Sequence, residues 1–329
     1  MRILIVDHSV IPVHLYGGTE RVIWGLGKEL TRLGHKVTFL VNKGSYCDFA
    51  SVIHIDEHKP IIDQIHNDFD VVHFNLEPHN LKSFRLPYLI TRHGNSNDFK
   101  ELDRNTVFVS RNHARRYNAD AYVYNGLDWS EYSPPDFSTR REYFHFLGNA
   151  SWRVKNVVGA IQVIKGTRSE TLKVLGGVRF NFKMGIRFTF SPRVSFAGMV
   201  GGKKKYELLN GSKGLIFPVR WHEPFGLAII ESLFYGCPVF GTPYGSLPEL
   251  VTEEVGYLSN KKEELAEAVL YTNRFSARKC HEYAREEFSS RKMALAYMEK
   301  YEQVISSKPL NTNTPKLKEL QTTKFLVWD

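Results

Sequence analysis

The stretch GLIFPVRWHEPFGLAIIESLFYGCPVFGT, residues 214–242, decides the fold. GLIFPV and PVFGT are short apolar runs of strand length, and between them Leu227, Ile230, Leu233 and Phe234 recur at helical spacing. Strand, helix and strand in such close succession predict a βαβ crossover, whose two strands run parallel under a covering helix. Pro224 suits a first helical position, and Gly236 with Pro238 ends the helix. Glu223 then lies at the helix entrance and Glu231 two turns in. Eight residues at ~1.5 Å each set them roughly 12 Å apart along the axis. That exceeds the ~5–9.5 Å between the paired carboxylates of glycoside hydrolysis, and it is awkward for sharing one metal ion. The spacing predicts two separate grips on one extended ligand, with the N–H groups of Phe225, Gly226 and Leu227 as donors between them. Ile230 and Ser232 set Glu231 beside the packed face, where a carboxylate requires a partner.

Outward from this unit the alternation continues in both directions. Towards the N-terminus, RILIV, HKVTFLV, DVVHFN, PYLITRHG, TVFVS and AYVYNGLD read as strands. The helix ERVIWGLGKELTRLG, with Val22, Ile23, Leu26, Leu30 and Leu33 on one face, separates the first two and stops at Gly34. A Pro-containing stretch, WSEYSPPDFSTRREY, reads as a linker. The pattern then restarts at FHFLGNASW and runs through NVVGAIQVIK, TLKVLGG, RVSFAG and KKYELLNGS to the central stretch, followed by helices up to ALAYMEKYEQVI. Two doubly wound α/β halves are expected, residues 1–138 and 139–307, with a loosely held tail at 308–329. In such sheets ligands bind beyond the carboxyl ends of the strands.

The chain has 329 residues and a net charge of +9. Cys47, Cys237 and Cys280 are scattered, which excludes a disulfide framework and points to a reducing, cytoplasmic setting. No apolar run reaches the ~20 residues of a membrane span, and the opening MRILIVDHSVIP reads as a buried strand rather than a signal peptide. The charge suits a phosphate-bearing substrate or an anionic membrane surface. No compact basic-aromatic module supports nucleic acid as a partner. GLGKEL lies inside a helix and lacks a third glycine, and GMVGGK is one residue short of a phosphate loop, so neither is read as a nucleotide motif. HIDEH (residues 54–58) has a zinc-like spacing but lies on a strand pattern, and the acids of DFD (residues 68–70) precede a strand instead of following one. No metal site is expected. YGGTE (residues 16–20) stands between the first strand and the first helix, where Gly17 and Gly18 allow close backbone approach and Thr19 can cap. His73 and His93 each close a strand at its carboxyl end, an exposed position suited to site work.

These residues resemble the retaining, nucleotide-sugar-dependent glycosyltransferases of family 4, which have the GT-B fold. The resemblance runs from YGGTERVIWGLGKEL through TRHG, VSRNHARRY, VYNGLD and FLGNASWRVKN to GCPVFGTPYGSLPEL. Its most specific element is EPFGLAIIE, the two glutamates with seven residues between them. The resemblance implies two Rossmann-like domains facing across a cleft, with the acceptor on the first, the donor on the second, and a C-terminal helix returning towards the first. It implies that Glu231 holds the ribose hydroxyls, while Glu223 and the backbone of Phe225, Gly226 and Leu227 hold the transferred sugar. Gly17 and Gly18 would approach the diphosphate, His93 would sit beside the reacting sugar, and Lys155 would neutralise the leaving diphosphate. The family arginine six residues before that lysine is Asn149 here. Either Arg153 substitutes from the same loop, or the diphosphate is less strongly stabilised.

The expected activity is transfer of a hexose from a UDP- or GDP-linked sugar to a glycan, lipid-linked or small-molecule acceptor, with no cofactor and no metal. Peripheral contact with an anionic membrane goes with the charge. A sugar-nucleotide epimerase or phosphorylase on the same fold is the enzymatic alternative, and a non-catalytic sugar-nucleotide or nucleic-acid binder is the other.

Overall fold

The computed structural model describes residues 1–13, 17–181 and 187–329. The chain divides into two compact units, one of residues Met1–Val13, Gly17–Asp128 and Phe288–Gln321, the other of Trp129–Glu287 and Thr322–Asp329. In chain order the first unit contributes β1 (Arg2–Val6), α1 (Gly18–Arg32), β2 (Lys36–Val41), β3 (Ser51–His54), β4 (Val71–Phe74), β5 (Tyr88–Arg92), β6 (Thr106–Phe108) and α2 (Arg111–Arg116). The second contributes β7 (Tyr143–Leu147), α3 (Val157–Gly166), β8 (Leu172–Leu175), β9 (Phe180–Asn181), β10 (Arg187–Phe188), β11 (Val194–Phe196), α4 (Gly202–Asn210) and β12 (Ser212–Phe217). It continues with α5 (Leu227–Phe234), β13 (Val239–Gly241), α6 (Leu247–Leu250), β14 (Gly256–Leu258), α7 (Lys262–Leu270) and α8 (Ala277–Glu287), and α9 (Ser290–Ile305) returns to the first unit.

The first unit holds a six-stranded sheet in the order β3-β2-β1-β4-β5-β6, parallel throughout. Ile3 to Val6 are at most 1% exposed. Burial on both faces is why these strands read as uninterrupted apolar runs. α1 lays Val22, Ile23, Leu26 and Leu30 against the sheet. Gly27 admits the ring of Phe39, which a Cβ there would meet at 2.3 Å. α9 is fixed on the sheet by a buried polar chain. His73 Nδ1 lies 2.8 Å from the Tyr301 hydroxyl and Nε2 lies 2.7 Å from Thr91 Oγ1, which in turn meets the Tyr297 hydroxyl at 2.8 Å.

That chain corrects the expectation for His73. It is wholly buried inside β4, and burial pushes its pKa down to about 3, so it is a neutral core histidine. AYVYNGLD forms no extended strand either; it pairs through two isolated parallel bridges, Tyr122 with Phe108 and Leu127 with Ser289. Asn311, fully buried, fastens the backbone just before the first of these bridges. Its side-chain oxygen accepts from the N–H groups of Asp120 and Ala121, and its amide donates to Arg104 O and Thr106 O. The expected loose tail is therefore fastened. Residues up to Gln321 belong to the first unit, with Leu310 and Leu317 buried, and the last eight belong to the second. The boundary at 138/139 also shifts, because Trp129 stacks on Phe234 at 4.3 Å and joins the second unit.

The second unit repeats the architecture with the sheet order β11-β8-β7-β12-β13-β14, again all parallel. Phe144, Phe146, Ile164, Val174 and Ile216 form its core against α3 and α7. Two pieces were not anticipated, the antiparallel ribbon β9–β10 and the edge strand β14. α5 starts at Leu227 on a left-handed Gly226 (φ +94°), so Pro224 precedes the helix instead of opening it.

Candidate functional site

In the second sheet the connections run outward in both directions from β7 and β12, and the carboxyl ends of these two strands define the switch point where such sheets bind ligands. β7 leads through Gly148 and Asn149 to a 3-10 turn at Arg153–Lys155, and β12 leads to Trp221 and Glu223. The two loops are tied by the Arg220 N–H donating to Val154 O at 2.7 Å. Lys155 Nζ lies 2.6 Å from Glu223 Oε2, and the Trp221 indole N–H donates to the same oxygen at 2.8 Å. Glu223 is 6% exposed, so this carboxylate is held in a low-dielectric setting by a cation and a neutral donor. Its backbone is clamped from the other side. Ser246 N–H donates to Glu223 O at 2.9 Å, and Ser246 Oγ donates to Phe225 O at 2.5 Å. Gly245, at φ +64°, packs so close that a Cβ would lie 2.2 Å from Glu223 N. The glycine of PYGSLPEL is thus explained by the approach of the EPFG loop.

Glu231, in α5, has a separate partner set. Its Oε1 takes Lys205 Nζ at 2.5 Å and the Tyr132 hydroxyl at 2.9 Å. The Lys205 and Glu231 side chains are 3% and 9% exposed. Glu231 has the partner its position required, and each of the two carboxylates is paired with its own lysine. Lys205 and Tyr132 were missed from sequence. The available signal was the pair Lys205 and Leu209, four residues apart on the buried face of α4. Tyr132 was hidden in a stretch that reads as linker.

Asn149 Oδ1 accepts from the Ser151 N–H at 3.0 Å and closes a turn. Arg153 is exposed, with its guanidinium 5.0 Å from the centre of the Phe325 ring, and Arg220 meets the same ring at 5.2 Å. The end of the chain is bonded there, Leu326 N–H to Arg220 O at 2.9 Å and Arg220 Nε to Leu326 O at 2.8 Å. Phe225 is buried, Gly226 caps α5 and Leu227 opens it.

The remaining expected residues belong to the first unit. Gly17 is the cap of α1, and a Cβ there would meet Val13 and Glu20 side-chain atoms within 2.9 Å. Gly18 opens the helix. Thr19 lies within it and no side chain caps it, contrary to expectation, while Tyr16 is outside the described residues. His93 follows β5, with Nε2 2.9 Å from Asn75 Oδ1. Burial holds its pKa down to about 4, so the ring is neutral at pH 7. Since a carbonyl oxygen accepts, Nε2 carries the proton and Nδ1 keeps its lone pair. It borders a cavity of about 300 Å³ that Asn75 and Arg92 also line; Asn75 Nδ2 and Arg92 Nε are buried without a hydrogen-bond partner. Among the described residues no group of three His, Cys, Asp or Glu side chains converges on one point. His54 of HIDEH meets Ser45 O instead.

Residues 141–272 match the family of glycosyl transferases group 1. No curated protein matches the chain. Among solved structures, a glycosyltransferase involved in avilamycin A biosynthesis aligns with a TM-score of 0.75 at 20% identity, over 93% of this chain and 98% of that one. Sucrose-phosphate synthase from Thermosynechococcus elongatus aligns at 0.71 and 16%, over 93% and 100%. HepE from Anabaena, in complex with UDP and glucose, aligns at 0.66 and 17%, over 92% and 100%. The fold is that of the GT-B glycosyltransferases.

Proposed function

We propose that this chain is a retaining hexosyltransferase of family 4, moving a sugar from a nucleotide-diphosphate donor to a glycan, lipid-linked or small-molecule acceptor. The observation that carries the reading is the pair of buried carboxylates at and behind the switch point, each set on its own lysine. Glu231, paired with Lys205 and oriented by Tyr132, takes the ribose hydroxyls. Glu223 and the backbone of Phe225, Gly226 and Leu227 take the sugar hydroxyls. Lys155 and Arg153 receive the diphosphate, and their charge stabilises the leaving group as the glycosidic bond to phosphate breaks. The acceptor hydroxyl attacks from the face the diphosphate leaves, and a phosphate oxygen takes its proton, so the anomeric configuration is kept. Two cations at the diphosphate supply the charge that a metal ion supplies elsewhere. In the first unit, Gly17 and Gly18 offer backbone approach to phosphate, and His93 offers a neutral imidazole to the sugar.

The matched family over residues 141–272 supports glycosyl transfer. Solved neighbours in complex with UDP-glucose and with ADP support a nucleotide sugar as donor. No helix among the described residues is long and apolar enough to cross a membrane. A cytoplasmic location rests on the three scattered cysteines, and peripheral contact with an anionic surface on the net charge of +9.

A thermal-shift panel of UDP-, GDP- and ADP-linked sugars tests the reading, since a ligand bound only by the folded state raises the melting temperature by mass action. One nucleotide series is expected to raise it in proportion to the logarithm of concentration. A flat response to every sugar nucleotide at millimolar concentration would refute a donor site.

A further inference from the structure

Glu223 Oε2 accepts from two donors, Lys155 Nζ at 2.6 Å and Trp221 Nε1 at 2.8 Å, and Lys155 Nζ also lies 5.0 Å from the centre of the Trp221 ring. These three side chains form one cluster, and the proposed reaction gives its lysine a second task. If Lys155 turns to the diphosphate, a carboxylate 6% exposed loses its cation at the moment it is needed to hold the sugar. A buried carboxylate that loses its partner is free to reorient. The indole N–H is not subject to that competition. It is neutral, it cannot be drawn away by phosphate charge, and it sits two residues from Glu223 on the loop that the Ser246 bonds already fix.

We propose that Trp221 is a positioning residue for donor binding. Its N–H keeps Oε2 of Glu223 in place while Lys155 transfers from the carboxylate to the diphosphate, so that Oε1, which takes neither donor, stays aimed at the sugar hydroxyls. The inference rests on the donor reading of the site. It adds a cost to that reading as well, since donor binding exchanges one ion pair for another instead of filling a pre-charged pocket.

The test is a calorimetric titration of the full chain with UDP, GDP and ADP and with the glucose ester of each, comparing wild type, Trp221→Phe, Glu223→Gln and the double variant. Phenylalanine keeps a ring beside Lys155 and removes the N–H. Wild type is expected to bind one sugar nucleotide more tightly than its bare diphosphate. Trp221→Phe is expected to weaken the sugar nucleotide about tenfold, the size of one hydrogen bond to a charged group, and to leave the bare diphosphate within about twofold. In the Glu223→Gln background the same change is expected to do nothing further, because the two residues act as one unit. Equal losses for both ligands, additive losses in the double variant, or no loss at all would overturn the role of Trp221 while leaving the donor site standing. A wild type that binds none of the six would overturn the donor reading and this inference with it.

Discussion

Lys205→Met isolates the buried pair that holds Glu231. Methionine keeps most of the lysine stem and its flexibility, so the change removes the charge and its hydrogen bond rather than the packing. The lysine side chain is 3% exposed and its Nζ lies 2.5 Å from a carboxylate that is 9% exposed. Deleting one partner of a buried pair costs about 3–5 kcal/mol, because the other charge stays buried. The Tyr132 hydroxyl remains on Glu231 Oε1 at 2.9 Å, which puts the expected loss at the lower end, about 3 kcal/mol. Four of the five tryptophans, Trp129, Trp152, Trp221 and Trp328, belong to the second unit. Urea unfolding followed by tryptophan fluorescence therefore reads mainly the unit that holds the pair. The double variant Lys205→Met, Glu231→Leu is expected to recover most of the loss, since replacing a whole buried pair with apolar groups is often neutral. A single variant within about 0.5 kcal/mol of wild type, the range of ordinary surface changes, would refute the reasoning. So would a double variant no more stable than the single one.

Other expectations are more local. Glu231→Ala should weaken binding of nucleoside diphosphate and sugar nucleotide alike, whereas Glu223→Ala should spare the bare diphosphate and lower turnover; calorimetry beside a rate assay separates them. Gly245→Ala should destabilise the second unit by at least about 1–3 kcal/mol, the cost of a left-handed residue with a side chain, with a further clash against Glu223 N; a melting temperature equal to wild type would be inconsistent with this packing. His73 and His145 are held down to about 3, His93 to about 4 and His113 well below its usual range, all mainly by burial. Unfolded imidazoles take a proton near pH 6.5, so from there down to about pH 4 the unfolded state binds more protons and stability falls as pH falls. Each group contributes up to about 1.4 kcal/mol per pH unit. Urea midpoints at pH 7, 6 and 5 should decline, and His145→Gln should flatten the decline, unless these rings are protonated in the fold.

Much of the architecture was legible because strands buried on both faces carry no polar alternation to confuse them, as RILIV and GLIFPV show. Positions that depend on distant partners were not. Glu231 announced its need for a partner, but Lys205 lies on a different helix. His73 and His93 look alike in sequence, yet β4 runs one residue past His73 and α9 covers it, while β5 stops one residue before His93. AYVYNGLD has strand composition, but it pairs only through bridges at Tyr122 and Leu127, and Asn311, nearly two hundred residues later, holds the N–H groups where it begins. The start of α5 slipped from Pro224 to Leu227 because Gly245 and Ser246 hold the intervening backbone, a constraint invisible in the local pattern.

The most direct test of the central claim is release of nucleoside diphosphate from UDP-, GDP- and ADP-linked hexoses, with kcat and KM measured separately for wild type, Glu223→Ala and Glu231→Ala. Release by wild type, a raised KM in Glu231→Ala and a lowered kcat in Glu223→Ala are the predicted results. Release that neither substitution alters, or no release from any donor in the presence of a range of glycan acceptors, would contradict the account.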